Sequence, residues 1–325
     1  MRDSQDRAIH YLRVSVTDRC NFRCAYCMPP RGVKWLPHAD ILSYEELLRL
    51  LAVFSRAGIR NVRLTGGEPL VRKGFVDFVA AVRGLGTIED LSMTTNGSLL
   101  PQFAPALKAA GLDRVNISLD TVDPAGFAKV TYCGKVTDTL RGIESALAAG
   151  LTPLKINVVL TEALSAADLG FFVDQVRRHP VAVRFIERMP LGKNGLGAGP
   201  DVAAVRRMIE EAGQGRLEPA SIKGNGPARY WRLPRSLGTF GFITPISEHF
   251  CNACNRLRLT ADGRLRPCLL SDAEIDVRTP LRAGASDGDL AELFAAAVRA
   301  KPAGHSLCRT SGYPGFARRM SQIGG

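Results

Sequence analysis

Six of the eight cysteines in this chain form two tight groups of three, a pattern typical of metal or iron–sulfur chemistry. The two triplets are Cys20, Cys24 and Cys27, and Cys251, Cys254 and Cys268. Eight cysteines in 325 residues are far too few for a disulfide scaffold. We therefore predict that the triplets are metal or redox sites in a chain that keeps its thiols reduced.

The first triplet favours an iron–sulfur cluster over zinc. A structural zinc site is usually closed by four ligands, and His38 is the nearest further candidate along the chain. Three thiolates on a four-iron cluster leave one iron open to a substrate, which is a catalytic arrangement. A zinc or purely structural site is the alternative.

Basic residues lie close to the second triplet in the sequence. Arg256 and Arg258 follow Cys254 closely and alternate along a predicted strand, so their side chains project to one face. Paired guanidinium groups suit a phosphate. We predict a second cluster beside a phosphate-binding face. Two alternatives are a zinc ribbon that uses His249 or Cys308 as fourth ligand, and a solvated arginine face.

The elements that position these residues alternate between strands and helices up to about residue 188, which indicates a parallel α/β architecture. The predicted strands are Tyr11–Thr17, Asn61–Thr65, Leu91–Thr95, Arg114–Leu119, Leu154–Leu160 and Val181–Ile186. A polar cluster follows each of the six strands, and barrels place their active sites on the rim formed by strand ends. We therefore predict an incomplete (β/α)6 barrel, similar to a TIM barrel, rather than a doubly wound sheet with one switch point.

The composition of the sequence changes after the sixth predicted strand. Residues 191–200 hold four glycines and a proline, which indicates a linker or loop. One helix, Asp201–Ala212, and several short strands follow. We predict a barrel domain over residues 1–190 and an α+β segment with the second cluster over residues 191–325.

Charge and hydropathy limit the partners. The chain has 43 basic and 31 acidic residues and a net charge of +12, which suits an anionic partner. No apolar run approaches the ~18 residues of a membrane span, and Met1–His10 is too charged for a signal peptide. We expect a cytoplasmic protein with no membrane partner.

The spacing of the first triplet, with Tyr26 before its last cysteine, resembles that of radical S-adenosylmethionine enzymes. Gly66-Gly67-Glu68-Pro69 is similar to the glycine-rich segment of that superfamily. Within the superfamily, the chain resembles the GTP 3′,8-cyclases of molybdenum cofactor biosynthesis. The segments that carry this resemblance are CNFRCAYCMP, RLTGGEPLVR, TTNG, RVNISLD, KINVV, RFIERMP, FCNACNRLRLTADGRLRPCL and the terminal IGG.

The resemblance implies two [4Fe-4S] clusters, S-adenosylmethionine as radical source, GTP as substrate, an electron donor and a homodimer. It assigns the first triplet to one cluster and the second triplet to the other. It implies S-adenosylmethionine contacts at Tyr26, Gly67, Ser118 and Met189. It implies GTP contacts at Arg13, Arg63, Thr94, Lys155, Arg256, Leu257 and Arg258. The implied reaction is hydrogen abstraction from the ribose C3′, attack on guanine C8 and a one-electron reduction.

Two other functions remain as alternatives. A peptide-modifying radical enzyme with an auxiliary cluster would bind a peptide instead of a triphosphate. A zinc-bound nucleic-acid module would need aromatic residues among its basic ones for stacking, and none lies within residues 255–259. We therefore expect no nucleic-acid partner. The sequence assigns no role to Cys133, Cys308 or His305, and the resemblance suggests that the Gly324-Gly325 tail reaches the active site.

Overall fold

A single sheet of twelve strands organises the protein, as seen in a computed structural model that describes residues 1–189, 199–222, 224, 226–305 and 318–324. The strands are β1 (Tyr11–Ser15), β2 (Asn61–Thr65), β3 (Asp90–Thr95), β4 (Arg114–Ser118), β5 (Lys155–Val159), β6 (Ala182–Ile186), β7 (Glu218–Ala220), β8 (Arg229–Arg232), β9 (Thr239–Ile243), β10 (Arg256–Leu259), β11 (Arg264–Arg266) and β12 (Ile275–Asp276). Each of the six strands predicted before residue 190 is present, with ends within two residues of the prediction.

The six strands β1 to β6 pair in parallel and in chain order. The chain after residue 198 then extends both edges of this sheet. Strand β10 pairs in parallel with β1, where Arg258 lies opposite Arg13, and β9 pairs in parallel with β6. Eight strands therefore run in parallel, and within the described residues no pairing joins β9 to β10. The predicted incomplete barrel is confirmed, with two further parallel strands at its edges.

Helices connect the parallel strands and cover the outside of the sheet. They are α1 (Tyr44–Arg56), α2 (Phe75–Gly84), α3 (Leu100–Ala109), α4 (Pro124–Thr131), α5 (Val136–Ala148), α6 (Ala166–Arg178), α7 (Val202–Ala212), α8 (Arg278–Arg282), α9 (Asp287–Arg299) and α10 (Met320–Ile323). No helix within the described ranges is long and apolar enough to cross a lipid bilayer.

Side-chain capping explains where the helices begin. Ser43 and Glu46 form a capping box at α1, and Ser165 forms another with Asp168 at α6. Helix α5 starts at Val136, and its first turn contains Asp138. Helix α4 was not predicted, although the Asp123 carboxylate accepts a hydrogen bond from Gly126 N (2.6 Å) at its start.

The two faces of the barrel strands differ in chemistry. Leu12, Val14 and Leu64 belong to the hydrophobic core, which packs the strands against the helices. The alternate residues, such as Arg13 and Arg63, face the interior of the sheet and line a cavity there. The inner face is thus polar and cationic, and it presents the side chains of the candidate site.

Candidate active site

Two adjoining cavities lie on the inner face of the sheet, and each contains one cysteine triplet. Cys20, Cys24 and Cys27 line the first cavity, and Cys251, Cys254 and Cys268 line the second. Arg13, Asn157, Ile186, Met189, Arg258 and Leu269 line both. The two triplets, separated by more than 220 residues in sequence, therefore open onto one continuous space.

The first triplet lies on the loop that follows β1. A tight turn closes it, because the main-chain carbonyl of Cys24 accepts hydrogen bonds from Cys27 N (2.8 Å) and Met28 N (3.1 Å). Burial, and then the nearby Glu68 carboxylate, raise the pKa of the Cys20 thiol to about 12. Burial likewise raises the pKa values of Cys24 and Cys27. Three free thiols on one turn fit a cluster that leaves one iron open, and binding it would release their protons.

The glycine-rich segment after β2 packs directly against this loop. Gly67 N donates to Thr17 O (2.8 Å), and Glu68 N donates to Arg19 O (2.8 Å). A Cβ atom at Gly67 would lie 2.3 Å from Arg19 O, so only glycine allows this close approach. Gly67 also lines the first cavity, where its backbone is open to a ligand.

Glu68 ties the ends of neighbouring strands together. Its carboxylate accepts hydrogen bonds from Leu70 N (3.1 Å), Thr95 Oγ1 (2.8 Å) and Asn96 N (2.7 Å). Burial raises its pKa to about 7, although these hydrogen bonds favour the charged form. Glu68 therefore supports the loops around the first triplet from within the protein.

The four predicted S-adenosylmethionine contacts all surround the first cavity. Tyr26, Gly67, Ser118 and Met189 line it. The Tyr26 hydroxyl donates to Asp120 Oδ2 (2.7 Å), and Asp120 also accepts from Val159 N (2.8 Å). Burial raises the pKa of Asp120 to about 6. The structure brings these four residues together. That they contact S-adenosylmethionine stays a prediction.

The second triplet has basic surroundings. Burial alone would raise the pKa of Cys254, but Arg256 and Lys301 outweigh it, and the pKa falls to about 6. The Arg256 guanidinium lies 3.7 Å from Cys254 Sγ and 5.1 Å from the centre of the Phe250 ring. A thiolate donor set among cations fits a second cluster beside an anionic ligand.

Two histidines adjoin the second triplet. His249 and His305 have ring centroids 4.3 Å apart, and one donor atom of each lies within 4.8 Å of Cys251 Sγ. His305 lines the second cavity, a position that the sequence did not reveal. Cys133 is exposed, whereas Cys308 lies outside the described residues.

The space between the triplets is lined by cations. Arg13, Arg63, Arg184 and Arg258 all line the second cavity. Arg13 Nε is buried without a hydrogen-bond partner among the described residues. Burial, followed by repulsion from Arg258 and Arg63, lowers the pKa of Arg13 well below its usual range. Burial, then Arg256, lowers the pKa of Arg258 to about 9. Such crowding of like charges is costly unless an anion binds among them.

Sequence reasoning missed Arg184 as a site residue, although it begins the segment RFIERMP that carries part of the family resemblance. Its guanidinium donates to Asn157 Oδ1 (2.9 Å) and Asn116 Oδ1 (3.1 Å) on the two preceding barrel strands. Asn116 in turn donates to Thr94 Oγ1 (3.4 Å). The alternation of Arg184 with Ile186 along β6 was the available signal, because both face the cavity.

The predicted GTP contacts divide into three groups. Arg13, Arg63, Arg256 and Arg258 line the second cavity, and Thr94 lines the first. Lys155 lies at the start of β5, only 2% exposed, outside both linings. Leu257 is fully buried in the hydrophobic core, so only its main chain is available to a ligand.

The C-terminal tail returns to the cavity. Arg258 donates a hydrogen bond to Gly324 O, and a Cβ atom at Gly324 would lie 2.7 Å from Thr65 Oγ1. Met320 and Ser321 line the first cavity. Arg318 anchors the tail through ion pairs with Asp262 and Glu274. Gly325 lies outside the described residues.

Comparisons with known proteins assign the two triplets to two different family profiles. The profile of the "Radical SAM superfamily" matches residues 14–174, and that of "Molybdenum Cofactor Synthesis C" matches residues 181–307. A solved structure, Streptococcus suis SuiB bound to S-adenosylmethionine, has the same fold, with a TM-score of 0.61 at 16% identity over 86% of this chain and 66% of that one. The fold and the first triplet therefore define a radical S-adenosylmethionine protein.

Full-length relatives give the family. A protein of Heliobacterium modesticaldum named GTP 3′,8-cyclase is 52% identical over 100% of both chains. One of the same name from Desulforamulus reducens is 48% identical, again over 100% of both. This chain belongs to the GTP 3′,8-cyclase family.

Proposed function

We propose that this protein cyclises GTP to (8S)-3′,8-cyclo-7,8-dihydroguanosine 5′-triphosphate, the first step of molybdenum cofactor biosynthesis. The observation that carries the proposal is the continuous cavity that joins two cysteine triplets across a cation-lined space. Family membership supports the same activity. The enzyme takes two [4Fe-4S] clusters and S-adenosylmethionine. The first triplet would hold the cluster that, with S-adenosylmethionine, supplies the 5′-deoxyadenosyl radical when bound.

The residues around the first cavity would hold and orient S-adenosylmethionine. The Gly67 backbone is open where a side chain would obstruct a ligand, and Tyr26 is fixed by its hydrogen bond to Asp120. Ser118 and Met189 complete this lining. Because a primary radical takes hydrogen from the nearest C–H group, enclosure by the inner face of the barrel limits side reactions.

The residues around the second cavity would hold GTP. Arg13, Arg63, Arg256 and Arg258 present guanidinium groups that suit a triphosphate carrying about four negative charges. Binding would relieve the repulsion that, after burial, lowers the pKa values of Arg13 and Arg258. The ribose C3′ would then lie between the two cavities, where the hydrogen is abstracted, and guanine C8 would accept the new bond.

The alternatives from the sequence fit less well. A peptide substrate would not satisfy so many buried cations, and fold similarity at 16% identity says nothing about substrate. A zinc-bound nucleic-acid module is inconsistent with membership of this family. We further propose that the enzyme works in the cytoplasm as a homodimer with an electron donor, since its clustered free thiols suit a reducing compartment.

Isotope transfer tests the function directly. The anaerobically reconstituted full-length protein is incubated with reductant, S-adenosylmethionine and GTP deuterated at C3′. We expect one deuterium in the 5′-deoxyadenosine formed, together with the cyclised triphosphate. GTP deuterated at C4′ is the matched control and should transfer none. Formation of 5′-deoxyadenosine without deuterium from C3′ would rule out the proposed abstraction.

A further inference from the structure

Lys301 joins two parts of the second triplet. Its side chain is buried, with 4% of the residue exposed, and Nζ donates to Arg256 O (2.7 Å) and Pro267 O (2.8 Å). Arg256 lies two residues after Cys254, and Pro267 directly precedes Cys268. One ammonium group therefore fixes the separation between the strand that follows one ligand and the strand end that carries another.

A second buried cation, Arg7, contacts Cys251, the remaining cysteine of the second triplet. Arg7 donates to Cys251 O (2.7 Å) and to Pro302 O (2.7 Å), next to Lys301. It is paired with Asp3 at 2.7 Å, and both side chains are almost completely buried. The segment from Lys301 to His305 is thus clamped against the second triplet.

The two clamping cations differ in their charge balance. Asp3 neutralises Arg7, whereas the side chains that act most strongly on Lys301, after burial, are the cysteines Cys254 and Cys268 and then Arg256. Burying an ammonium without a carboxylate is expensive. The position of Lys301 is therefore explained by anionic charge at the cysteines themselves.

We propose that Lys301 is a positioning residue of the second cluster, which fixes the spacing of Cys254 and Cys268 and makes this cluster easier to reduce than the first. The inference rests on the proposed two-cluster function. Net charge and hydrogen bonding around a cluster set its reduction potential. Apart from the other cysteines, the charged groups that act most strongly on Cys20 and Cys24 are the carboxyl groups of Glu68 and Asp120, whereas Arg256 and Lys301 act on Cys254.

The test separates the charge of Lys301 from its hydrogen bonds. Lys301→Gln keeps amide donors for the two carbonyls and removes the charge, whereas Lys301→Arg keeps the charge. Arg83→Gln is the matched control, because Arg83 donates to the carbonyls of Gly111 and Ile88 (both 2.9 Å) on the outer layer. Iron content and the midpoint potential of each cluster are measured on anaerobically reconstituted full-length protein by redox titration with electron paramagnetic resonance.

We expect Lys301→Gln to keep both clusters and to lower the ratio of reduced to oxidised second cluster ten- to hundredfold at a fixed potential. That change is about 60–120 mV for a one-electron couple. The first cluster, Lys301→Arg and Arg83→Gln should stay at wild-type potentials. Loss of the second cluster in Lys301→Gln but not in Lys301→Arg would also support the role of the charge.

Two results would overturn the inference. One is a wild-type second-cluster potential in Lys301→Gln with its iron intact. The other is loss of the second cluster in both variants, because shape would then matter and charge would not. Failure of the proposed function looks different, since the wild-type protein itself would then lack about eight irons per chain or form no cyclised product.

Discussion

Apart from the other cysteines, the charged groups that act most strongly on Cys20 and Cys24 are acidic, whereas those that act most strongly on Cys254 are basic. Burial and Glu68 keep Cys20 protonated, with a pKa of about 12. At Cys254, Arg256 and Lys301 overcome burial and bring the pKa to about 6. The same ligand pattern of three thiols thus lies in two opposite electrostatic settings.

This difference matches the two small molecules that the proposed reaction brings together. S-adenosylmethionine carries a sulfonium and an ammonium group, which suit a triplet whose thiols are influenced by the buried carboxyl groups of Glu68 and Asp120. GTP carries a triphosphate, which suits the arginines of the other cavity. We therefore expect charge to favour S-adenosylmethionine near the first triplet and GTP among the arginines near the second.

The largest predicted effect removes the first cluster. Cys24→Ala should reduce 5′-deoxyadenosine formation to background, because two thiolates cannot hold the cluster with a catalytic iron open. Iron should fall from about eight to about four per chain. The measurement is anaerobic product analysis with and without GTP. Undiminished cleavage of S-adenosylmethionine would remove the first triplet from the mechanism.

The same change at the second triplet should have a narrower effect. Cys268→Ala should bind and slowly cleave S-adenosylmethionine but form no cyclised GTP, since its first cavity is intact. Equilibrium binding of both small molecules, measured on one preparation, checks this. If GTP affinity and cyclisation both survive, the second triplet is structural and the proposed contrast between the triplets fails.

An intermediate effect is expected from one arginine. Arg258→Ala should weaken GTP binding about ten- to hundredfold, because a charge-assisted contact contributes roughly 1.5–3 kcal/mol. Cluster content should be unchanged. Arg264→Ala is the matched control, because Arg264 lies on the adjacent strand β11 and is paired with Asp276 at 2.7 Å.

Guanosine separates phosphate recognition from general damage at the same site. Wild type and Arg258→Ala should bind guanosine alike if the guanidinium holds phosphate. An equal loss of affinity for GTP and for guanosine would instead indicate that Arg258 acts through its hydrogen bond to Gly324 O.

The smallest predicted effect is the uptake of protons when GTP binds. Burial, followed by Arg184, Arg114 and Arg63, lowers the pKa of Lys155 to about 6, so the free protein holds it largely neutral at pH 8. If Lys155 contacts GTP as the family resemblance implies, the bound triphosphate should raise that pKa. GTP binding should then take up close to one proton at pH 8. Affinity should accordingly rise as the pH falls toward 6 and then level off.

Titration calorimetry in buffers with different ionisation enthalpies measures this uptake. Lys155→Met should abolish it at pH 8. A heat of binding that does not depend on the buffer in the wild-type protein would show that Lys155 does not sense the substrate.

The sequence predicts the barrel well because its strands are short β-branched runs and its helices begin at side-chain caps. Both signals are local, as at Ser43 and Glu46. The cysteine spacing is local too, which is why both cluster sites could be proposed. The site residues that the sequence did not predict depend on how distant segments of the chain pair and pack in the fold.

Lys301 shows why such residues escape prediction. It follows Cys268 by 33 residues, beyond helix α9, and no spacing rule links it to a cysteine. Only the pairing of β10 with β1 and the course of the chain after α9 place its ammonium beside Arg256 O. His305 reaches the second cavity for the same reason.

The pairing of β10 with β1 also has a consequence for how the protein is made. Tyr11 leaves the ribosome about 245 residues before its partner Arg256, which at 5–20 residues per second is an interval of roughly 12–50 s. During that time one edge of β1 has no neighbour and is open to pairing with another chain. Synthesis must therefore run past residue 259 before the nascent protein can protect this edge and bring its two cysteine triplets to a common cavity.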